Sequence, residues 1–142
     1  AAIGAGLPVA ISFTVETDGR LPTGMALAEA VARIDDRHGD AVSFYMINCA
    51  HPTHFAPVLN DATLAQRIGG LRANASRMSH AELDDATELD EGNPAELAAE
   101  YRELIDALPA LCLVGGCCGT DHRHVEAIAE ACVPALKARV GA

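Results

Sequence analysis

Basic side chains are scarce in this sequence: 10 Lys and Arg stand against 20 Asp and Glu, giving a formal net charge of −10 and a pI near 4.8. No Lys/Arg cluster interrupts the acidic excess, so a phosphate backbone or an anionic membrane surface is repelled, and neither nucleic acid nor membrane is an expected partner. No apolar run approaches the roughly 20 residues that a membrane-spanning helix needs. The opening Ala1-Ala2-Ile3-Gly4 lacks the basic n-region of a secretory leader, so a cytoplasmic location is expected. An initiator methionine is lacking too, as expected of a piece of a longer chain. The 5 cysteines form no even set, and without a secretion signal they point to thiol chemistry or metal ligation rather than a disulfide framework.

What is present is apolar and periodic. Half of the 142 residues are hydrophobic, enough for one globular domain spanning 1–142. Leu7 to Val15 is an almost unbroken apolar run that ends at Glu16-Thr17-Asp18-Gly19, the pattern of a buried strand entering a turn. Leu27, Val31 and Ile34 recur at helical spacing, and Gly39 supplies a stop. Ala41 to Asn48 predicts a second strand ending at Cys49. His51-Pro52-Thr53 reads as a loop, and Phe55, Val58, Leu59, Leu64 and Ile68 as one helix broken near Asn60-Asp61. Gly70 to Ala75 is a short, weakly patterned third strand.

Ser76 to Asn93 is acidic and reads as a solvated loop or a short helix over a rim. Asn93-Pro94-Ala95-Glu96 is a helix start, with Asn93 as N-cap and Pro94 at the first helical position. Leu97, Tyr101, Leu104, Ile105 and Leu108 line one face of that helix. Ala110 to Val114 predicts a fourth strand running into Gly115-Gly116-Cys117-Cys118-Gly119-Thr120. A last helix opens near Thr120 or Asp121, with Val125, Ile128 and Cys132 on its inner side.

Four successive strand-helix units imply a parallel sheet with helical crossovers, in which ligands collect at the carboxyl ends of the strands. Glu16 and Asp18, Cys49, Asn74, and Cys117 with Cys118 all follow strand ends. Adjacent cysteines bind one metal when the backbone bends freely between glycines, as Gly115, Gly116 and Gly119 permit. Three thiolates favour Zn²⁺ and leave a fourth tetrahedral position open for substrate. Cys112 and Cys132 read as small core hydrophobes. His51 and His54 flank Cys49 without being needed as ligands, His122 and His124 read as helix-end or solvent-facing residues, and His38 and His80 as exposed loop residues.

Ile47-Asn48-Cys49 and Gly115-Gly116-Cys117-Cys118-Gly119-Thr120 resemble the two signature motifs of homocysteine S-methyltransferases. Ser12-Phe13-Thr14-Val15-Glu16, Asp18-Gly19-Arg20-Leu21 and Asn74-Ala75 are similar to further family segments. The resemblance implies the second half of an eight-stranded (β/α) barrel, with an open parallel α/β sheet as the alternative. It implies Zn²⁺ on Cys49, Cys117 and Cys118, and methyl transfer to the thiolate of homocysteine, giving methionine. The donor would be of the S-methylmethionine, S-adenosylmethionine, betaine or methyl-cobalamin type. Glu16 and Asp18 are then candidates for gripping the substrate ammonium, and Asn74 for shaping the pocket. The expected partner is a missing N-terminal half-barrel or a self-association completing the barrel; the alternative function is a non-catalytic zinc-binding half-barrel fragment that needs a partner to complete the site.

Overall fold

Strand residues alternate in exposure, and that alternation sets the architecture. In the computed structural model, which describes residues 1–140, strand β1 (Val9–Phe13) has Val9, Ile11 and Phe13 partly covered and Ala10 and Ser12 exposed. It is followed by α1 (Leu27–His38), β2 (Val42–Asn48), the short helices α2 (Pro52–Phe55) and α3 (Ala62–Ala65), β3 (Ile68–Ala73), α4 (His80–Asp85), α5 (Pro94–Ala107), β4 (Leu113–Gly116) and α6 (His122–Val140). The four strands form one all-parallel sheet in the order β1-β2-β3-β4. This α/β arrangement is consistent with half of a barrel or with an open parallel sheet, as the sequence predicts.

Helices cover one face of the sheet. Ile11, Phe13, Tyr45, Ile47, Leu71 and Val114 share a core cluster with Leu27 and Val31 of α1, Leu97, Tyr101 and Ile105 of α5, and Ile128 of α6. Ala10, Ser12, Arg72 and Leu113, which the register places on the other side, are exposed. Phe44 and Met46 lie across β3 on that side. A methyl group at Gly69 or Gly70 would collide with them, so these glycines let two large side chains lie flat on the neighbouring strand.

The sequence places the elements correctly but misjudges several ends. The apolar run from Leu7 to Val15 forms only five residues of strand, because Leu7 is solvent-exposed and only alternate residues are covered. Ile68 is fully buried in β3 rather than closing a helix, and a 3₁₀ turn over Ala56–Asn60 separates α2 from α3. Gly115 and Gly116 complete β4, pushing its start past Cys112. Cys112 is accordingly exposed and not a core residue, while Cys132 is fully buried as expected. Val125 is half exposed and does not face inward.

The amino ends of the strands carry a polar clasp that the sequence gives no hint of. Arg67, just before β3, donates from Nε and Nη2 to the two carboxylate oxygens of Asp35 at 2.8 Å each, and Nη2 also reaches the Val42 carbonyl at 3.0 Å. Tyr45 Oη donates to Asp35 at 2.7 Å. The Arg67 guanidinium holds the Asp35 carboxyl below the ordinary carboxylate range, while burial and the Asp35 bond push Tyr45 up to about 12. The clasp ties α1, β2 and β3 together at the end opposite the cysteines.

Candidate metal centre

Cys49, Cys117 and Cys118 leave two different strands and converge. Their sulfurs all lie within 4.8 Å of one another, and this group could hold a metal ion. Cys49 Sγ and Cys117 Sγ are 2.7 Å apart. Burial and the contact with Cys117 push the Cys49 thiol up to about 11. Burial opposes ionisation of Cys117 as well, but hydrogen bonds from Cys49 and from Cys118 outweigh it and leave the Cys117 pKa below the ordinary thiol range. Of the two, Cys117 is the thiol whose ionised form the contact favours.

The residues fit a thiophilic ion. Thiolates about 2.3 Å from a tetrahedral zinc stand roughly 3.8 Å apart. Cys49 and Cys117 reach that spacing by separating about an ångström, within the range of side-chain torsions.

Backbone bonds set the cluster. Cys49 N–H donates to the Arg72 carbonyl at 3.1 Å, so the residue leaves β2 still tethered to β3. Cys49 has φ 53, the one positive value outside glycine among the described residues. Cys117 N–H donates to the Ala73 carbonyl at 2.8 Å. Thr120 then closes the cysteine turn, donating to the Cys117 carbonyl from its amide at 3.1 Å and its hydroxyl at 2.6 Å. That turn requires its glycines. A side chain at Gly116 would overlap Thr120, and Gly119, with φ 77, would press a methyl into the Asp90 carbonyl.

Tyr101 supplies a further support. Its hydroxyl accepts from Ala73 N–H at 2.8 Å and donates to the Gly115 carbonyl at 2.6 Å. A regular parallel ladder would join that amide to that carbonyl directly, so the hydroxyl is inserted in the ladder and spreads the ends of β3 and β4 just below the cysteines.

A cavity of about 390 Å³ opens beside the thiols, lined in part by Cys49, Cys118, Asn74, Ser76, His80 and Leu83. Asp84, Glu88 and Asp90 place carboxylates around it. Asn74 is buried at 3 % exposure, and its Oδ1 accepts from Cys118 N–H at 3.1 Å. Glu16 is half-buried, with Oε2 3.2 Å from His80 Nδ1. Asp18 does not line the cavity; its carboxylate accepts from Arg20 N–H at 3.0 Å within the same turn.

The histidines depart most from the sequence reading. His80 is no exposed loop residue: it opens α4 and reaches the Cys49 carbonyl with Nε2 at 2.6 Å. The readable signal was Ser79-x-x-Glu82, which forms a capping box and fixes where the helix starts. His124 is fully buried and bonds Asp121 and the Glu91 carbonyl, pinning the acidic segment to α6. His51 is also buried, 3.3 Å from Glu100 Oε2, and burial depresses its pKa to about 4, so it is neutral.

No helix among the described residues is long and apolar enough to cross a membrane. No curated protein shows a significant match to the chain. The homocysteine S-methyltransferase family model does match, over residues 1–132, which include every residue of the cysteine cluster and its supports, and the chain therefore belongs to the homocysteine S-methyltransferase family.

Proposed function

We propose that Cys49, Cys117 and Cys118 hold a Zn²⁺ ion and that the chain, as one partial homocysteine S-methyltransferase domain over 1–142, uses it in methyl transfer to homocysteine. The convergence of the three sulfurs beside a cavity, in a chain of this family, carries the reading. When bound, zinc supplies Lewis acidity that lowers the pKa of a substrate thiol, so its proton leaves to solvent while the sulfur keeps its lone pairs.

The chain's own residues then orient and desolvate. Asn74 keeps the Cys118 loop closed through its bond to the amide. Glu16 and Asn74 are the proposed substrate contacts, with Glu16 Oε2 3.2 Å from His80 on the cavity wall; Asp18, expected beside them, lies outside this cavity with its carboxylate on Arg20 N–H. Leu83 and Ala86 give the cavity an apolar side that excludes water. The substrate sulfur attacks the donor methyl in line: the S–CH₃ bond forms, the bond from methyl to the donor's sulfur, nitrogen or cobalt breaks, and its electron pair stays with the donor. Acidic groups at Asp84, Glu88 and Asp90 favour a cationic onium donor such as S-methylmethionine, S-adenosylmethionine or betaine over methyl-cobalamin.

The exposed sheet face with Ala10, Ser12 and Leu113 supports a second reading, in which this chain is a zinc-binding half-barrel that needs a complementary half, separate or a second copy, before it turns over. Zinc-loaded chain is incubated with homocysteine and each donor, and methionine is quantified. Turnover that disappears in Cys118→Ser is expected. Stoichiometric zinc without turnover supports the second reading, and absence of zinc uptake contradicts both.

A further inference from the structure

The least comfortable residue near the site is Cys49. Its left-handed backbone, φ 53, is one that side chains with a Cβ rarely adopt and that persists only where neighbours impose it. On the amide side, Cys49 N–H is held by the Arg72 carbonyl at 3.1 Å. On the carbonyl side, the partner is His80 Nε2 at 2.6 Å. A carbonyl oxygen only accepts, so this ring nitrogen carries a proton and donates. Glu16 Oε2 stands 3.2 Å from Nδ1 on the other side of the ring, and the Ser79–Glu82 capping box fixes the helix start from which His80 projects.

The other two cysteines are fixed differently. Cys117 and Cys118 are gripped by the β3 end, by Asn74 and by the closed turn at Thr120. Cys49 alone depends on a side chain from the acidic segment over the site. Without the His80 bond, the Cys49 carbonyl has no partner, and the nearest remaining tether is one residue on, where Asn74 N–H holds the Ala50 carbonyl at 3.1 Å; Cys49 can then relax its positive φ, which swings Sγ away from its neighbour 2.7 Å off.

We infer that His80 is a positioning residue for the three-thiolate centre: by bonding the Cys49 carbonyl it keeps Cys49 in the left-handed conformation that aims its sulfur at Cys117 and Cys118. The inference rests on the metal-centre reading above and adds to it a residue that ligates nothing. Through it, the acidic segment that borders the cavity is tied mechanically to one ligand.

Zinc affinity of the full chain is measured by competition with a chromogenic chelator, and thiolate ligation by the sulfur-to-cobalt charge-transfer band after Co²⁺ loading. His80→Ala is expected to weaken zinc at least roughly tenfold, the low end for loss of a partner that orients a ligand, and to dim the charge-transfer band. His80→Gln places an amide nitrogen near the same carbonyl and is expected to restore most of both. Melting temperatures of the metal-free variants report any general destabilisation, which by itself would not be repaired by glutamine. Equal affinity and equal cobalt spectra in wild type and His80→Ala, or a loss that His80→Gln leaves unrepaired, overturns the inference. A wild-type chain that takes up neither ion overturns the three-thiolate reading itself, and the inference with it.

Discussion

Replacing Tyr101 with phenylalanine removes one oxygen and keeps the ring, so it isolates the inserted hydroxyl between β3 and β4. Tyr101 is fully buried, and its hydroxyl serves Ala73 N–H at 2.8 Å and the Gly115 carbonyl at 2.6 Å. In Tyr101→Phe both backbone groups lose their partner, the Ala73 amide in the buried core and the Gly115 carbonyl at a partly exposed position that water can reach. An unmatched buried polar group costs about 1–3 kcal/mol, so the Ala73 amide dominates and the expected loss is about 1–3 kcal/mol. No cavity penalty is added, because the phenyl ring still fills its site. Urea unfolding followed by circular dichroism reads the loss as a lower midpoint at unchanged slope. Zinc affinity is expected to fall as well, since Cys117 N–H hangs on the carbonyl of the same Ala73. A loss below about 0.5 kcal/mol, the range of an unremarkable surface substitution, means that the ladder closes directly and the hydroxyl is dispensable, which refutes the reasoning.

Asp35 gives a pH-dependent counterpart at the other end of the sheet. Its folded pKa is depressed by Arg67, so its contribution is full above the unfolded carboxylate pKa and is lost as pH falls through the lower folded value. Asp35→Asn is therefore expected to cost about 1 kcal/mol near neutrality, as suits a half-buried pair, and to converge with wild type in strong acid; parallel melting curves across that range would contradict it. Gly119→Ala forces a positive φ on alanine and drives its methyl into the Asp90 carbonyl. The expected loss is about 2 kcal/mol with weaker zinc binding, and an unchanged melting temperature would show that the turn relaxes freely.

Much of this arrangement was legible in the sequence because strand ends announce themselves. Apolar runs that stop at Asn48-Cys49 and at Gly115-Gly116 locate two strand exits, and a parallel sheet brings such exits to one edge. Asn93 and Pro94 marked the start of α5, and Asn93 Oδ1 caps it by accepting from Ala95 and Glu96 N–H. What periodicity does not carry is side-chain partnership across distant segments. His80 lies 31 residues from Cys49, and Tyr101 lies 28 from Ala73; nothing local in either neighbourhood names the partner. Cys112 was misplaced for a related reason. An apolar stretch reads as buried, but Cys112 lies just before β4, at the sheet's edge, and lines an open groove with Val133, Leu136 and Lys137 of α6, while its neighbour Leu111 is buried.

The most direct test of the central reading is X-ray absorption at the zinc edge on the zinc-loaded full chain, with and without homocysteine. Three sulfurs at about 2.3 Å with one lighter ligand are expected first. A fourth sulfur is expected to replace the lighter ligand when homocysteine is added, and Cys49→Ser, Cys117→Ser and Cys118→Ser are each expected to lower the sulfur count by one. A shell dominated by nitrogen and oxygen, or a sulfur count indifferent to those three substitutions, would contradict a centre built on Cys49, Cys117 and Cys118.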